Sequence, residues 1–506
     1  MRFWTDHRID EDNFQDAVQG LVRNAPWWGI SALLHVLLLL VLSLFVTSEV
    51  AEEKGPILQA IHPEPPPDKI DDTEDVKPEK LDVEDVQQPD FNDADLSADT
   101  DELTDSPEGE VGDFSGPLEG PAFNPSIGLT GGSMGGRGPG GGGTGRGCGT
   151  RKKDPFYKEV DLGLRWLAEH QDKDGKWDCD DFAKHDPADD RCDGPGQPLY
   201  DVGVSSLALL AFLGAGHTDR GGPKARYAKN VRTGLRYLMR VQDDEGCFGA
   251  RSSKHFMYNH AIATLAMCEA YWMTRNARYK RPAQKALDFI ARARNPYGAW
   301  RYEPRGGEND LSVTGWMVMA LKSGKYAGLV IDPDAFEGAR RFVDKMTDPE
   351  FGNAGYDSQG GEAARPEGLQ DRFPADKTAS MTSVAVLTRI FLGEDPSKSA
   401  IIRKGVDICL ERLPQWRDDG SIDMYYWYYG TLAIFQVGGR AWREWNKAMI
   451  PAIVKQQHAE GSGSRTGSWD PVGPWGADGG RVYSTALMVM CLEVFYRYDR
   501  VFGLSR

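Results

Sequence analysis

One pattern returns six times in the C-terminal part of the chain, and it constrains the fold more than any other feature. The first copy, VDLGLRWLAEHQDKDGKW, runs from Val160 to Trp177, and the second, NVRTGLRYLMRVQDDEGCF, from Asn230 to Phe248. A third ends at Trp300, a fourth opens at Phe336 and closes near Tyr356, a fifth starts at Ile402, and a sixth closes at Trp469. Each copy sets apolar residues at helical spacing, then a turn, then often an aromatic. In the first, Leu162, Trp166 and Leu167 make one apolar stripe, and Asp174-Gly175 breaks the helix.

A second, more apolar helix follows each copy. These begin at Asp201, Tyr258, Asp310, Lys377, Met424 and Arg481. A helix apolar nearly all round must be buried on all sides. Six amphipathic outer helices around six apolar inner ones predict an all-α fold, an (α/α)6 toroid over residues 154–506. The inner helices then run the same way, so their N-termini gather at one mouth. That brings together Asp201, Tyr258, Asn259, His260, Asp310, Asp423, Tyr425 and Tyr483, with Trp316 and Tyr426 on the same helices. An Asp at such a position serves first as an N-cap. Collectively, carboxylates, a His and clustered aromatics at one mouth point to a ligand cleft.

The turns Gln171–Trp177 and Gln242–Phe248 resemble the QW repeats of squalene–hopene cyclases and related terpenoid cyclases. The stretch GCFGARSSKHFMYNHAIATLAM is similar to repeats of protein prenyltransferase β subunits. The resemblance covers roughly residues 155–500 and implies the toroid; that fold hosts several functions. Class II cyclases use a D-x-D-D acid, and Asp178-Cys179-Asp180-Asp181 matches its letters, which would make Asp180 the proton donor. The motif lies here in the turn after Trp177, ahead of the inner helix. Zinc-dependent prenyl transfer is not expected. The corresponding inner helix begins Lys377-Thr378-Ala379-Ser380, without Asp or Cys, and His260 alone is no zinc site.

Blander readings of the Asp-rich loop remain open. Asp172, Asp174 and Asp178 offer oxygen ligands for calcium, though without EF-hand spacing. A disulfide between Cys179 and Cys192 would pin the loop in an oxidising compartment. The pair Asp310 and Asp423 could serve as glycosidase carboxylates if suitably spaced.

The N-terminal third is of another kind. Trp27–Val46 is a twenty-residue stretch without a charged residue, long enough at 1.5 Å per residue to cross a bilayer core. Residues 27–48 are read as a retained membrane helix after a cytoplasmic segment, 1–26. Arg2, Arg8 and Arg23 precede the span and only Lys54 follows closely, which places the toroid outside the cytoplasmic membrane, in the periplasm. Ser31 and His35 stand four apart on one face of this span. The spacing resembles the anchor of the energy transducer TonB, and implies an ion-driven motor as partner.

Residues 49–153 form a linker. Between 51 and 120 there are 23 acidic residues against four lysines, a balance of −19, against −17 for the entire chain. Residues 121–150 hold 13 glycines. Such segments bury too little apolar surface to fold. The acidity is therefore the tether's and the toroid is near neutral. No basic face recommends nucleic acid as a partner. The expected ligand is apolar or polymeric, or else a protein.

Overall fold

A computed structural model describes residues 155–220, 225–253, 255–296 and 298–494, and His35 alone before them. The chain divides into two compact units, Met1–Gly112 and Asp113–Arg506. In the first only His35 is described, as helical and exposed. The rest of the Trp27–Val46 stretch, Ser31 and the tether with Cys148 lie outside the described residues. No described helix is long and apolar enough to cross a membrane.

The second unit is helical, with no strand among the described residues. Its helices are α1 (Tyr157–Glu169), α2 (Asp201–Gly214), α3 (Ala228–Val241), α4 (Phe256–Thr274), α5 (Ala277–Ala293) and α6 (Leu311–Tyr326). They continue with α7 (Pro333–Met346), α8 (Ser380–Phe391), α9 (Ala400–Glu411), α10 (Met424–Val437), α11 (Gly439–Val454) and α12 (Gly476–Leu492). The even-numbered helices pack in succession, and α12 returns to α2, which closes the ring. The odd-numbered helices lie outside, α3 against α2, α5 across α4 and α6, and α1 against α12. This is the α/α toroid that the repeats predict.

The division follows from composition. Every residue of α2 from Val202 to Gly214 is buried, whereas α3 buries one stripe, including Val231, Leu235 and Leu238. Two inner helices open three or more residues from the expected position. Helix α8 opens at Ser380, because Ala375–Lys377 forms a separate 3-10 turn. Helix α12 opens at Gly476 and bends at Gly480, whose φ is 65°.

The turns that end α1, α3 and α11 each stitch their helix to the next outer helix. Gln171 Nε2 donates to the Gly175 carbonyl at 2.9 Å and to the Asn230 carbonyl of α3 at 3.0 Å. Gln242 repeats this with Gly246 and with Pro282 of α5. Gln457 does so with Gly467 and with Glu159 of α1, so the last repeat is tied to the first. The aromatic that follows is fully buried, and its indole N–H returns to the preceding outer helix, Trp177 to the Leu167 carbonyl and Trp469 to that of Ile453. Its backbone N–H reaches a side chain of the inner helix: Trp177 to Ser205 Oγ at 2.8 Å, Trp469 to Thr485 Oγ1 at 3.3 Å.

A long insertion between α1 and α2 adds a second closure. Gln197 N–H donates to the Asp478 carbonyl, and Arg481 N–H to that of Gly194. The buried Arg481 guanidinium pairs with Asp193 and with Asp470, the latter at 2.8 Å. Residues 178–197 thus bind the first repeat to the sixth.

Candidate binding cavity at the ring mouth

The N-terminal ends of the inner helices surround a cavity of about 140 Å³. Its wall is mostly aromatic and aliphatic. Tyr258, Trp316, Tyr425 and Tyr483 come from the helices, and Tyr200, Tyr302, Tyr356 and Trp475 from segments leading into them. Asn259 and Ser312 also contribute, and Arg365 and Asp478 bring charge to the wall. Trp316 stacks on Tyr428 with ring centroids 5.7 Å apart, which stiffens one side. Ser312 Oγ and Tyr425 Oη are hydrogen-bonded at 2.6 Å, and Tyr302 and Tyr356 share a short hydroxyl contact.

Three polar groups of this wall are shielded from solvent without a hydrogen-bond partner: Tyr483 Oη, Trp475 Nε1 and Ser380 Oγ. Leaving a buried donor unpaired costs about 1–3 kcal/mol each. An acceptor in the cavity would relieve that cost once these side chains turn towards it.

Two buried carboxyls stand beside the wall in opposite circumstances. Asp310 caps α6, its Oδ1 accepting from Val313 N–H at 2.7 Å. Its Oδ2 accepts no hydrogen bond, and Arg301 Nε lies 4.0 Å from it. Burial pushes the Asp310 pKa up to about 7, with the Val313 N–H, Arg301 and Tyr356 opposing. Asp423 caps α10 through Tyr426 N–H. Its Oδ2 accepts from Thr378 Oγ1 at 3.1 Å and pairs with Arg365 at 3.3 Å. Both of its oxygens are engaged. Neither carboxyl is itself part of the wall.

Of the residues picked out in sequence, Tyr258, Asn259, Trp316, Tyr425 and Tyr483 line the cavity. Tyr426 does not, since its hydroxyl donates to the Cys409 and Arg412 carbonyls on the outer side. His260 is fully buried away from the wall, against Phe248 and Phe289. Asp201 accepts from Cys179 N–H and pairs with Lys176. Asp180 is exposed in the loop after Trp177 and is no part of the cavity.

The loop's other readings meet the chain's own chemistry. Asp178 pairs with Lys176 and Lys184, Asp172 with Lys184 and His185, and Asp174 with Arg240. Calcium would have to compete with these partners, although Asp178, Asp180 and Asp201 bring carboxylate oxygens within 4.8 Å of one another. Of the readings left open, the Cys179–Cys192 disulfide is not formed, and both are free, buried thiols. Cys179 Sγ is turned to the Asp478 and Gly479 carbonyls at 3.4 Å, whereas Cys192 lies by Asp186. Tyr200, Tyr302 and Trp475 were not anticipated, because they precede the helices and share no periodicity with them, and Tyr356 was read only as the close of the fourth copy.

No family model matches the chain, and no curated protein matches it. Among solved structures it is similar to an inactive variant of an α-1,6-mannanase of Salegentibacter sp. in complex with α-1,6-mannotriose. The identity is 12%, over 67% of this chain and 98% of that one, with a TM-score of 0.44. It is also similar to a type II terpene cyclase from Scytonema, at 14% identity over 67% and 96% with a TM-score of 0.42. A cellobiose 2-epimerase from Bacillus thermoamylovorans matches at 16% over 67% and 97%, with a TM-score of 0.46. The toroid architecture stands on this chain's own closed ring of inner helices, not on these likenesses.

Proposed function

We propose that the toroid is a binding module whose mouth takes up a largely apolar ligand carrying an oxygen acceptor. The observation that carries this reading is the aromatic wall with three unpartnered polar groups, Tyr483 Oη, Trp475 Nε1 and Ser380 Oγ. Small-molecule sites are typically apolar with a few placed polar groups. The uncharged stretch Trp27–Val46 and the acidic tether support display of the toroid outside the cytoplasmic membrane, where envelope lipids or apolar polymer segments are the available class.

The test is a titration of the full chain in nanodiscs with a long-chain isoprenoid alcohol, read by tryptophan fluorescence. Saturable quenching is expected, because Trp316 and Trp475 stand in the wall. Ser380→Phe fills the cavity and should abolish it. A featureless titration, or one unchanged by Ser380→Phe, sinks the reading.

A second reading is acid-catalysed isomerisation of a terpenoid-like ligand, favoured by Asp310. Its carboxyl is protonated below about pH 7 and lies behind Tyr302 and Tyr356 of the wall. Product formation from squalene or an isoprenoid diphosphate, lost in Asp310→Asn and kept in Asp180→Asn, would establish it. Glycan cleavage by Asp310 with Asp423 has less support, because Asp423 is bound on both oxygens.

A further inference from the structure

Outside the cavity, one cluster gathers an imidazole, a carboxylate and a thiol. His170, at the end of α1, is held between Trp166, stacked at 4.1 Å, and the edge of Phe182. Its Nδ1 lies 2.7 Å from the Trp166 carbonyl oxygen. A carbonyl only accepts, so Nδ1 carries a proton. The other nitrogen, Nε2, faces Asp186 Oδ1 at 2.9 Å, and both side chains are almost wholly enclosed. A neutral imidazole would point its lone pair at a carboxylate, and only a cation or a second proton between them makes the contact favourable.

A third ligand type completes the set. Cys192 N–H donates to Asp186 Oδ2 at 2.8 Å and so orients the carboxylate. The donor atoms of His170, Asp186 and Cys192 all lie within 4.8 Å of one another. On one side, His170 and Asp186 border a cleft of about 630 Å³ that also touches Arg165, His185, Glu460 and Ser464.

We propose that His170 Nε2, the Asp186 carboxylate and Cys192 Sγ bind a zinc-class divalent cation, with solvent in the cleft as its fourth ligand. Imidazole, carboxylate and thiolate are all zinc ligands, and three protein ligands plus water is an established pattern. A protonated Nδ1 donating to a backbone carbonyl is the outer-shell arrangement that fixes the metal-binding tautomer. Around a tetrahedral ion with bonds near 2.0–2.1 Å, the nitrogen and oxygen stand roughly 3.3 Å apart. The nitrogen and oxygen therefore need to part by only a few tenths of an ångström, while the sulfur, within 4.8 Å of both, must close on the ion. Binding forms the metal–sulfur bond and releases the Cys192 proton to solvent. The loop carrying Asp186 and Cys192 also ties the first repeat to the sixth, through Asp190 to Ser464 N–H and Asp193 to Arg481. The ion would brace the ring's seam.

The experiment is Co(II) and Zn(II) titration of the reduced full chain, with a chromophoric chelator reporting zinc stoichiometry and affinity. The expected result is one ion per chain and, with cobalt, a thiolate-to-metal charge-transfer band with visible d–d bands. His170→Gln, Asp186→Asn and Cys192→Ser should each weaken zinc binding by more than the roughly 10–100-fold that loss of an outer-shell partner costs. Cys192→Ser should remove the charge-transfer band, and Cys148→Ser should keep it. The cobalt spectrum of the unaltered chain is decisive even if a variant fails to fold. The proposal is overturned if no thiolate band appears, if binding survives in Cys192→Ser, or if peptide mapping of the air-exposed chain finds Cys192 in a disulfide.

Discussion

The backbone N–H of Phe248 donates to Nδ1 of His260 at 3.1 Å, and this contact occupies the place where other repeats use a hydroxyl. Ser205 receives Trp177 in the first repeat, Thr382 receives Ala354 in the fourth, and Thr485 receives Trp469 in the sixth. His260 is thus a joint between a turn and its inner helix. Its Nε2 lies 3.4 Å from Thr264 Oγ1, so both ring positions have a neighbour.

This relationship gives a pH signature. Burial lowers the His260 pKa to about 3, against 6.5 when free. The unfolded chain therefore binds the proton first, and the stability due to neutral His260 is whole above about pH 6.5 and falls as pH drops towards 3. By linkage the loss is on the order of 3 kcal/mol at pH 4. Asn at 260 can accept from Phe248 N–H and does not titrate. Urea unfolding should show His260→Asn less stable than the native chain at pH 7, with the gap narrowing or reversing by pH 4. A constant gap would mean that the imidazole is not buried neutral.

Asp310 should behave in the opposite sense. Its folded pKa of about 7 lies above the ordinary 3.8, so the folded chain holds the proton longer. The resulting stability is complete below about pH 4 and is lost as pH rises through 7. Asp310→Asn keeps an N-cap acceptor for Val313 N–H and carries no charge. Its melting temperature should rise relative to the native chain between pH 4 and pH 8. Asp310→Ala, lacking the cap, should lose about 1 kcal/mol at acid pH.

Much of the architecture was legible because burial dictates composition. The run from Val202 to Gly214 has no polar face to offer solvent, and α3 has only one apolar stripe to offer a neighbour. Asp310 and Asp423 were readable as caps for the same local reason. The cavity was less legible. Tyr425 and Tyr426 are adjacent in sequence, yet one faces the cavity and the other the Cys409 carbonyl. Only helix register decides that, and two adjacent tyrosines do not encode register. Tyr302, Tyr356 and Trp475 sit on irregular segments whose path depends on the ring being closed. In the Asp-rich loop the letters suggested an acid, a calcium site or a disulfide. Lys176 and Lys184, at no motif spacing, took its carboxylates instead.

The Asp-rich loop carries its own expectation. Asp172 and Asp178 are already paired to lysines, so calcium at the Asp178, Asp180 and Asp201 carboxylates would have to compete with Lys176 and Lys184. Adding millimolar calcium to the metal-free chain should leave its melting temperature unchanged, as should a chelator specific for calcium. A rise of several degrees would show that the ion displaces Lys184.

The glycines of the repeat turns are the sharpest test of ring closure. Gly467 has φ near 92°, and a Cβ there would lie 2.3 Å from the Leu162 carbonyl oxygen of α1. Strain and a backbone clash then act together, and neither neighbour is a flexible side chain. Gly328 has a similar φ of 80° with nothing within 4 Å, so it isolates the conformational cost. Gly328→Ala should cost about 1 kcal/mol, the ordinary price of a left-handed residue. Gly467→Ala should cost several kcal/mol more, because α1 must retreat and Gln457 then loses its bond to the Glu159 carbonyl. Hydrogen exchange should show where that energy is lost. Amides of α1 and α11 should exchange faster in Gly467→Ala, while those of α5 and α6, on the far arc, keep their protection until global unfolding. Equal losses around the ring would mean instead that the toroid opens only as a whole and has no seam.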